Sequence, residues 1–197
     1  MTHPIVAITG ASGSCYGIRL LEVLIERGLQ PYVVVSQAGR QVMGVELGSG
    51  DLKDHLGASG YREEDVRDLA SPLASGSFRT SGMVISPCST GTLGSIAHGI
   101  SSNLIHRAAE VCLKERRTLI VMPRETPLSQ ITLQNMLALA QAGAHVVPAS
   151  PGFYHAPKRI EELVDFMAAR VLDLMKIPHD LSKRWTGLPA MENAFGD

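Results

Sequence analysis

The chain has 197 residues, of which 45% are hydrophobic and 19% charged, and its formal net charge is −1. These values are typical of a folded protein with a substantial core and exclude a disordered chain. A nucleic-acid-binding protein normally carries a basic face, so the near-neutral charge excludes that class. We find no signal peptide and no apolar run near the ~20 residues that span a membrane, so we expect a cytoplasmic protein without a membrane partner.

Short β-branched runs alternate with segments of helical period along the chain. The predicted strands are residues 5–9, 32–35, 83–86, 119–122 and 145–147, and the longer predicted helices are 16–26, 39–46, 104–117, 128–142 and 160–175. Residues 47–82 are interpreted as largely irregular and charged. The alternation predicts a Rossmann-like or flavodoxin-like three-layer α/β fold, with a parallel sheet between helices. We expect one domain over residues 1–178 and a tail or arm over 179–197.

In such a sheet the ligand lies beyond the carboxyl ends of the strands, where this chain carries glycines and hydroxyls. The first strand is followed by residues 10–13, Gly-Ala-Ser-Gly, which fit either an anion-binding helix start or a tight turn. Ser36 follows the second strand, where dinucleotide enzymes usually carry an acidic residue. With Ser89, Thr90, Gly91 and Thr92 after the third strand, this pattern favours a mononucleotide such as FMN. Singly, Ser89 and Thr90 also fit a helix N-cap.

Charged residues after the fourth strand and on two helices are candidates for chemistry. Arg124 and Glu125 stand between two prolines, where arginine would bind phosphate or flavin oxygen and glutamate would transfer a proton, unless they form only a solvated ion pair. Arg107 and Lys114 are seven apart on one helix, either facing solvent or clamping a phosphate. Arg170 on the last helix needs an anionic partner if it is buried.

Other residues are interpreted as structural. The seven histidines show no metal-binding spacing, so we expect no metal. Cys88 has no evident base beside it, which favours a small buried thiol over a nucleophile. Trp185 is interpreted as an anchor for the tail.

Five strings of this chain, in order and in register, resemble the flavin prenyltransferase (UbiX-like) family. They are residues 9–13 (TGASG), 88–93 (CSTGTL), 113–117 (LKERR), 123–128 (PRETPL) and 151–155 (PGFYH). The resemblance extends from Ile5 to the region of Trp185. It implies an enzyme that joins the dimethylallyl group of dimethylallyl phosphate to N5 and C6 of reduced FMN without a metal. The product would be prenylated FMN for a partner decarboxylase, as in ubiquinone biosynthesis or phenolic acid breakdown, and the enzyme would be a dodecamer.

The resemblance also implies a role for individual residues. Those that would bind FMN are Gly10, Ala11, Ser12, Ser36, Ser89, Thr90, Gly91, Thr92 and Arg124. Those that would hold the phosphate of the prenyl donor are Arg107, Lys114, Tyr154 and Arg170. Ser12 and Glu125 would transfer protons, and Glu46 would line the site near the reacting atoms.

One position departs from the family, and two other functions remain open. Some members carry a tryptophan where this chain has Leu69, so the donor here would meet an aliphatic wall. An FMN-dependent decarboxylase of cysteine-derived peptides or pantothenoyl compounds would carry a catalytic histidine and the string PASANT, which we do not find. A non-catalytic carrier of FMN or prenylated FMN would share the FMN loops but would not need a second phosphate site.

Overall fold

The computed structural model describes residues 3–182 together with Arg184 and Gly187. Within them the strands are β1 Ile5–Ile8, β2 Tyr32–Val35, β3 Arg62–Glu63, β4 Met83–Cys88, β5 Leu119–Pro123 and β6 His145–Val146. They form one sheet in the order β3-β2-β1-β4-β5-β6, and each neighbouring pair is parallel. The strand order reverses between β1 and β4, which is the topological switch point where such sheets bind ligands.

Helices cover both faces of this sheet. They are α1 Ser14–Glu26, α2 Gln37–Leu47, α3 Lys53–Leu56, α4 Thr90–Ala97, α5 Leu104–Lys114, α6 Gln130–Gln141 and α7 Ile160–Leu174, with a 3-10 helix at Pro72–Ala74. Because successive strand side chains point to opposite faces, Val6 and Ile8 pack in the core under α1 and α7. Ile5 and Ala7 pack in the other core, under α4 and α5. The predicted three-layer α/β fold is confirmed.

The segment 47–82 is largely irregular, as predicted, but it contains three short elements that the prediction missed: α3, β3 and the 3-10 helix. The strand β3 consists of two exposed residues, Arg62 and Glu63. A short, charged edge strand has no apolar alternation to reveal it, and such charges protect a sheet edge from pairing with other chains. The sheet therefore has one more strand than the sequence pattern predicts.

Several helix ends also differ from the prediction, for local reasons. Ser36 and Ser129 act as N-caps, accepting hydrogen bonds from Gly39 N and Thr132 N, so α2 starts two residues before the predicted position and α6 two residues after it. The predicted helix 104–117 ends at Lys114, and Arg116 takes a left-handed φ of 56° just beyond it.

Close packing of α1 against the sheet fixes where the first loop lies. A Cβ placed on Gly17 would be 2.3 Å from the carbonyl oxygen of Ser86, so only glycine permits this approach of α1 to β4. The start of α1 is thereby held over the switch point. None of the described helices is long and apolar enough to cross a membrane. Trp185, the predicted tail anchor, lies outside the described residues.

Candidate active site

The loops that follow β1 and β4 are joined directly at the switch point. The Thr9 hydroxyl donates to the carbonyl oxygen of Pro87 at 2.9 Å, and Ser89 N donates to Thr9 Oγ1 at 2.7 Å. Thr9 is 1% exposed, so this is a buried bridge. We did not single out Thr9 as a functional residue from the sequence, although it stands at the end of a strand before a glycine.

The loop after β1 also touches the start of α2, and two glycines make the contact possible. A Cβ on Gly10 would lie 2.6 Å from the Cβ of Ala38, and one on Gly39 would lie 2.7 Å from the carbonyl oxygen of Ile8. Three loops thus converge at one edge of the sheet. We call residues 9–14, 36–39 and 89–92 together with Arg124 the cradle.

Serine caps begin both α2 and α4 inside the cradle. Ser36 Oγ accepts from Gly39 N at 2.9 Å, and Ser89 Oγ accepts from Thr92 N at 3.3 Å. The predicted N-cap role of Ser89 is therefore confirmed. Neither helix carries an acidic residue in its first turn, so the partial positive charge at each N-terminus remains available to an anion. Gly91 is exposed, with no atom within 4 Å of a Cβ built on it.

The start of α1 is different, because it already holds an anion that belongs to the chain. Gly13 N donates to Glu46 Oε1 at 2.9 Å, and Ser14 N donates to Glu46 Oε2 at 2.8 Å. Burial works to raise the pKa of Glu46, but hydrogen bonds from the Ser12 hydroxyl and from the two backbone N–H groups outweigh it and lower that pKa. Both interpretations of residues 10–13 hold: Gly13 makes a turn with a left-handed φ of 103°, and the helix start that follows binds an anion, which is a carboxylate from the last turn of α2.

Arg124 joins the loop after β5 to the cradle, and Glu125 stands beside it. Arg124 Nε donates to the carbonyl oxygen of Ser12 at 3.1 Å. Glu125 is exposed, and its Oε1 accepts from Thr126 N at 3.0 Å. Each of the two side chains thus has a backbone partner of its own, and both lie at the edge of the sheet where the three loops meet.

Arg107 and Lys114 lie on α5, on the face of the sheet that α4 and α5 cover. Arg107 Nε donates to the carbonyl oxygen of Ala74 at 3.1 Å, and its Nη1 donates to Glu110 Oε2 at 2.9 Å. Lys114 pairs with Glu115, and a Cβ on Gly76 would lie 2.7 Å from Lys114 Nζ. Both cations therefore lie on the side of α5 that borders the segment 74–76. The apolar residues Ile105, Ala108, Ala109 and Cys112 of the same helix are buried.

Tyr154 and Arg170 lie with α7, on the other face. Tyr154 is 82% exposed in the loop before this helix. The Arg170 side chain is 54% exposed, and its Nη1 lies 3.2 Å from Asp173 Oδ2. The four residues predicted to hold the donor phosphate thus lie on both faces of the sheet, and a single chain does not bring them together. Asp173 was missed, although an acidic residue three positions after an arginine on a helix is a recognisable pair.

The remaining candidates behave as structural residues. Cys88 is fully buried, and burial raises its pKa to about 12, so its thiol is inert as predicted. Among the described residues, no group of three or more His, Cys, Asp or Glu side chains is placed to hold a metal ion. Leu69, at the position where some family members carry a tryptophan, is 50% exposed.

Comparison with known proteins gives a consistent result over almost the whole chain. The family model described as Flavoprotein matches residues 1–172. The flavin prenyltransferase UbiX of Halalkalibacterium halodurans is 47% identical over 188 residues, which cover 91% of this chain and 91% of that protein. The flavin prenyltransferase UbiX of Thermoplasma acidophilum is 49% identical over 181 residues, with 92% and 98% covered.

Solved structures agree with this match. The structure of AnUbiX (PadA1) in complex with FMN and dimethylallyl pyrophosphate superimposes with a TM-score of 0.89 at 37% identity, covering 95% of this chain and 99% of that one. A dodecameric FMN-dependent UbiX-like decarboxylase from Escherichia coli O157:H7 gives 0.87 at 38% identity, with 95% and 100% covered. The peptidyl-cysteine decarboxylase EpiD, at 16% identity and a TM-score of 0.57, shares the fold alone.

Proposed function

This chain belongs to the flavin prenyltransferase family, and we propose that it joins the dimethylallyl group of dimethylallyl phosphate to N5 and C6 of reduced FMN. The observation that carries the proposal is the cradle, in which the starts of α2 and α4 have no acidic residue in their first turns, whereas the start of α1 binds the carboxylate of Glu46. The helix starts suit a phosphate, because they present backbone N–H groups and a partial positive charge.

The residues of the cradle fit FMN. Its phosphate would lie against the free N-termini of α2 and α4, where hydroxyls and backbone N–H groups supply hydrogen bonds. Gly10 and Gly91 would let the backbone approach the ligand closely. The full set that we propose for FMN is Gly10, Ala11, Ser12, Ser36, Ser89, Thr90, Gly91, Thr92 and Arg124.

When bound, reduced FMN supplies N5 and C6 as the two atoms that form new carbon bonds. We assign Glu125 and Ser12 to proton transfer, because Glu125 stands beside Arg124, whose Nε donates to the carbonyl oxygen of Ser12 and so joins the loop after β5 to the loop after β1. Glu46 is held ionised by the start of α1, so its negative charge would stabilise a cation-like allylic carbon. Arg107, Lys114, Tyr154 and Arg170 would stabilise the departing phosphate.

A complete site requires more than one copy of the chain. The donor-phosphate residues lie on both faces of the sheet, so neighbouring copies would have to bring them together. Exposed apolar side chains on α6 give a surface for such contacts, with Ile131 at 69% and Leu137 at 58% exposure. We propose a homo-dodecamer in the cytoplasm that supplies prenylated FMN to a partner decarboxylase, for example in ubiquinone biosynthesis. Residues 1–178 would form the FMN-binding domain, and 179–197 a tail or arm.

The first test is anaerobic incubation of the purified protein with reduced FMN and dimethylallyl phosphate, followed by mass spectrometry of the extracted flavin. We expect a flavin heavier by one C5H8 unit. Unchanged FMN, with binding confirmed and the diphosphate also tried as donor, would contradict the proposal and leave the non-catalytic carrier.

The substitutions Glu125→Gln and Arg170→Ala separate the enzyme from the carrier. Loss of a positioned acid–base group costs roughly 100-fold or more in rate, so Glu125→Gln should bind FMN normally and form little product. Arg170→Ala should bind FMN normally and have a higher Michaelis constant for dimethylallyl phosphate. If the protein were a non-catalytic carrier, the wild type would form no prenylated FMN, so neither substitution could reduce product formation.

Mixing two impaired variants, assayed at a donor concentration at which each alone forms little product, tests the shared site. Arg107→Ala and Glu125→Gln subunits, dissociated and reassembled together, should regain part of the wild-type activity if Arg107 of one copy serves the cradle of another. Each variant reassembled alone is the control. Absence of recovery in verified mixed oligomers would place both residues in the site of one chain.

A further inference from the structure

One carboxylate on α7, that of Asp173, joins this helix to the segment that follows it. Its Oδ2 lies 3.2 Å from Arg170 Nη1, and its Oδ1 lies 3.1 Å from His179 Nε2 and 2.9 Å from Arg184 Nη2. These contacts come from two sides, one from the helix itself and the others from residues beyond its end.

Asp173 is held in a fixed position by this arrangement. Its side chain is 24% exposed, and the side chain of His179 beside it is 3% exposed. The ion pair between Arg27 and Asp180, at 2.7 Å, ties the same segment to the end of α1. Burial works to raise the pKa of Asp173, but the hydrogen bonds from Arg184 and His179 outweigh it and lower that pKa, so the carboxylate is ionised at neutral pH.

A fixed carboxylate restrains a side chain that would otherwise be free. Arginine loses rotamer entropy when it is ordered, and an arginine as exposed as Arg170 bears that cost at the moment of binding. Asp173 contacts Nη1 of Arg170, which leaves Nε and Nη2 as a pair of donors on one edge of the guanidinium for phosphate oxygens. Two arginines around one aspartate also leave the group net positive.

We propose that Asp173 is a positioning residue, which orients Arg170 towards the donor phosphate and is itself held by His179 and Arg184 of the segment after α7. The inference rests on the proposed function, since it names a residue that acts through a proposed substrate-binding arginine. Asp173 would also differ from a simple counter-ion, because a counter-ion competes with the phosphate whereas a positioning residue assists it.

The sign of the effect of Asp173→Asn on the Michaelis constant for dimethylallyl phosphate decides between these roles. An exposed ion pair contributes up to about 1 kcal/mol, so we expect this constant to rise about fivefold, with kcat and the affinity for FMN little changed. Asp173→Glu keeps the charge and should recover most of the loss. An unchanged or lower Michaelis constant in Asp173→Asn would overturn the proposal.

A double-mutant cycle tests whether Asp173 acts through Arg170. In the Arg170→Ala background, adding Asp173→Asn should cause no further rise in the Michaelis constant for the donor. A further rise of similar size would show that Asp173 acts by another route. Glu162→Gln is the matched control, because Glu162 on α7 also pairs with an arginine three residues away, Arg159 at the N-cap, and its loss should leave this constant unchanged.

A milder variant covers the case in which Asp173→Asn does not fold. Arg184 is 69% exposed, so Arg184→Ala removes one of the contacts that hold Asp173 without opening the core. We expect a rise of about twofold in the Michaelis constant for the donor, and no rise would overturn the proposal. If the wild-type protein forms no prenylated FMN, the proposed function itself fails, whereas active wild type with unaffected variants refutes only the role of Asp173.

Discussion

The cradle and the four donor-phosphate residues are built by different means. Backbone contacts and short side chains assemble the cradle within one chain, as the contacts of Gly10 and Thr9 show. The donor-phosphate residues are long side chains on two separate faces, and Arg107, Lys114 and Arg170 each have an acidic neighbour on their own helix or next to its end. The comparison indicates that the cradle is preorganised within one chain, whereas the phosphate site that we propose would depend on assembly.

The largest effect is expected from disturbing the close packing of α1 against β4, which supports the cradle. Gly17→Ala would place a Cβ 2.3 Å from the carbonyl oxygen of Ser86, so the free energy of unfolding should fall by about 3 kcal/mol and FMN binding should weaken with it. Urea denaturation measures the change. In Gly44→Ala, another helical glycine, the nearest atom to the new Cβ is 3.8 Å away, and a gain of up to about 1 kcal/mol is expected. Equal stability of the two variants would contradict the close packing.

The next largest effect tests whether the donor-phosphate residues and the cradle act independently. Arg107→Ala removes a cation from the face away from α1, so the Michaelis constant for the donor should rise about 30-fold, equivalent to about 2 kcal/mol, with FMN affinity unchanged. Glu110→Gln keeps the cation and should have a smaller effect. Steady-state kinetics and a flavin fluorescence titration give the two values. A parallel loss of FMN affinity would show that the regions are not independent.

A smaller effect tests whether a cap in the cradle also binds ligand. Ser89 and Ser129 cap α4 and α6 in the same way, and each hydroxyl also hydrogen-bonds that of a threonine three residues later. Replacing either serine by alanine should lower the free energy of unfolding by about 1 kcal/mol. Only Ser89→Ala should also weaken FMN binding. If both variants bind FMN like the wild type, the role of Ser89 is limited to the cap.

The smallest effect concerns the carboxylate of Glu46, which contacts the cradle at Gly13 and Ser14. The pKa of Glu46 in the folded protein is below its ordinary value of 4.5, so its contribution to stability is complete above that pH and is lost as the pH falls through the lowered pKa. For an exposed carboxylate at a helix start this is about 0.5 kcal/mol. Thermal unfolding of Glu46→Gln should therefore depend less on pH below about 4.5 than that of the wild type. Identical pH profiles would contradict the contact.

The sequence predicts much of the fold because the central strands are buried runs with clear boundaries. Residues 32–35 agree with β2 at both ends, whereas β3 was missed because its two charged, exposed residues have no hydrophobic pattern. Serine caps explain the errors at the starts of α2 and α6, since a serine can start a helix at either side of the first apolar residue.

The candidate site was predictable where it depends on strand ends and less so where it depends on distant partners. Ser36 and Ser89 follow their strands directly, and the structure brings both to the same edge. The pairing of Glu46 with Gly13 joins residues 33 positions apart, so no local pattern reveals it. Asp173 contacts His179 and Arg184, which lie beyond the end of its helix, and only the folded chain shows these contacts.

The carboxylate that occupies the start of α1 also gives the cradle a direction. A phosphate that approached Gly13 and Ser14 would meet a negative charge already hydrogen-bonded to their N–H groups, whereas the starts of α2 and α4 carry no such charge. We therefore expect a molecule with one anionic end to bind with that end at the starts of α2 and α4. Glu46 would thus disfavour a ligand bound in the reversed orientation, because its carboxylate would repel the phosphate.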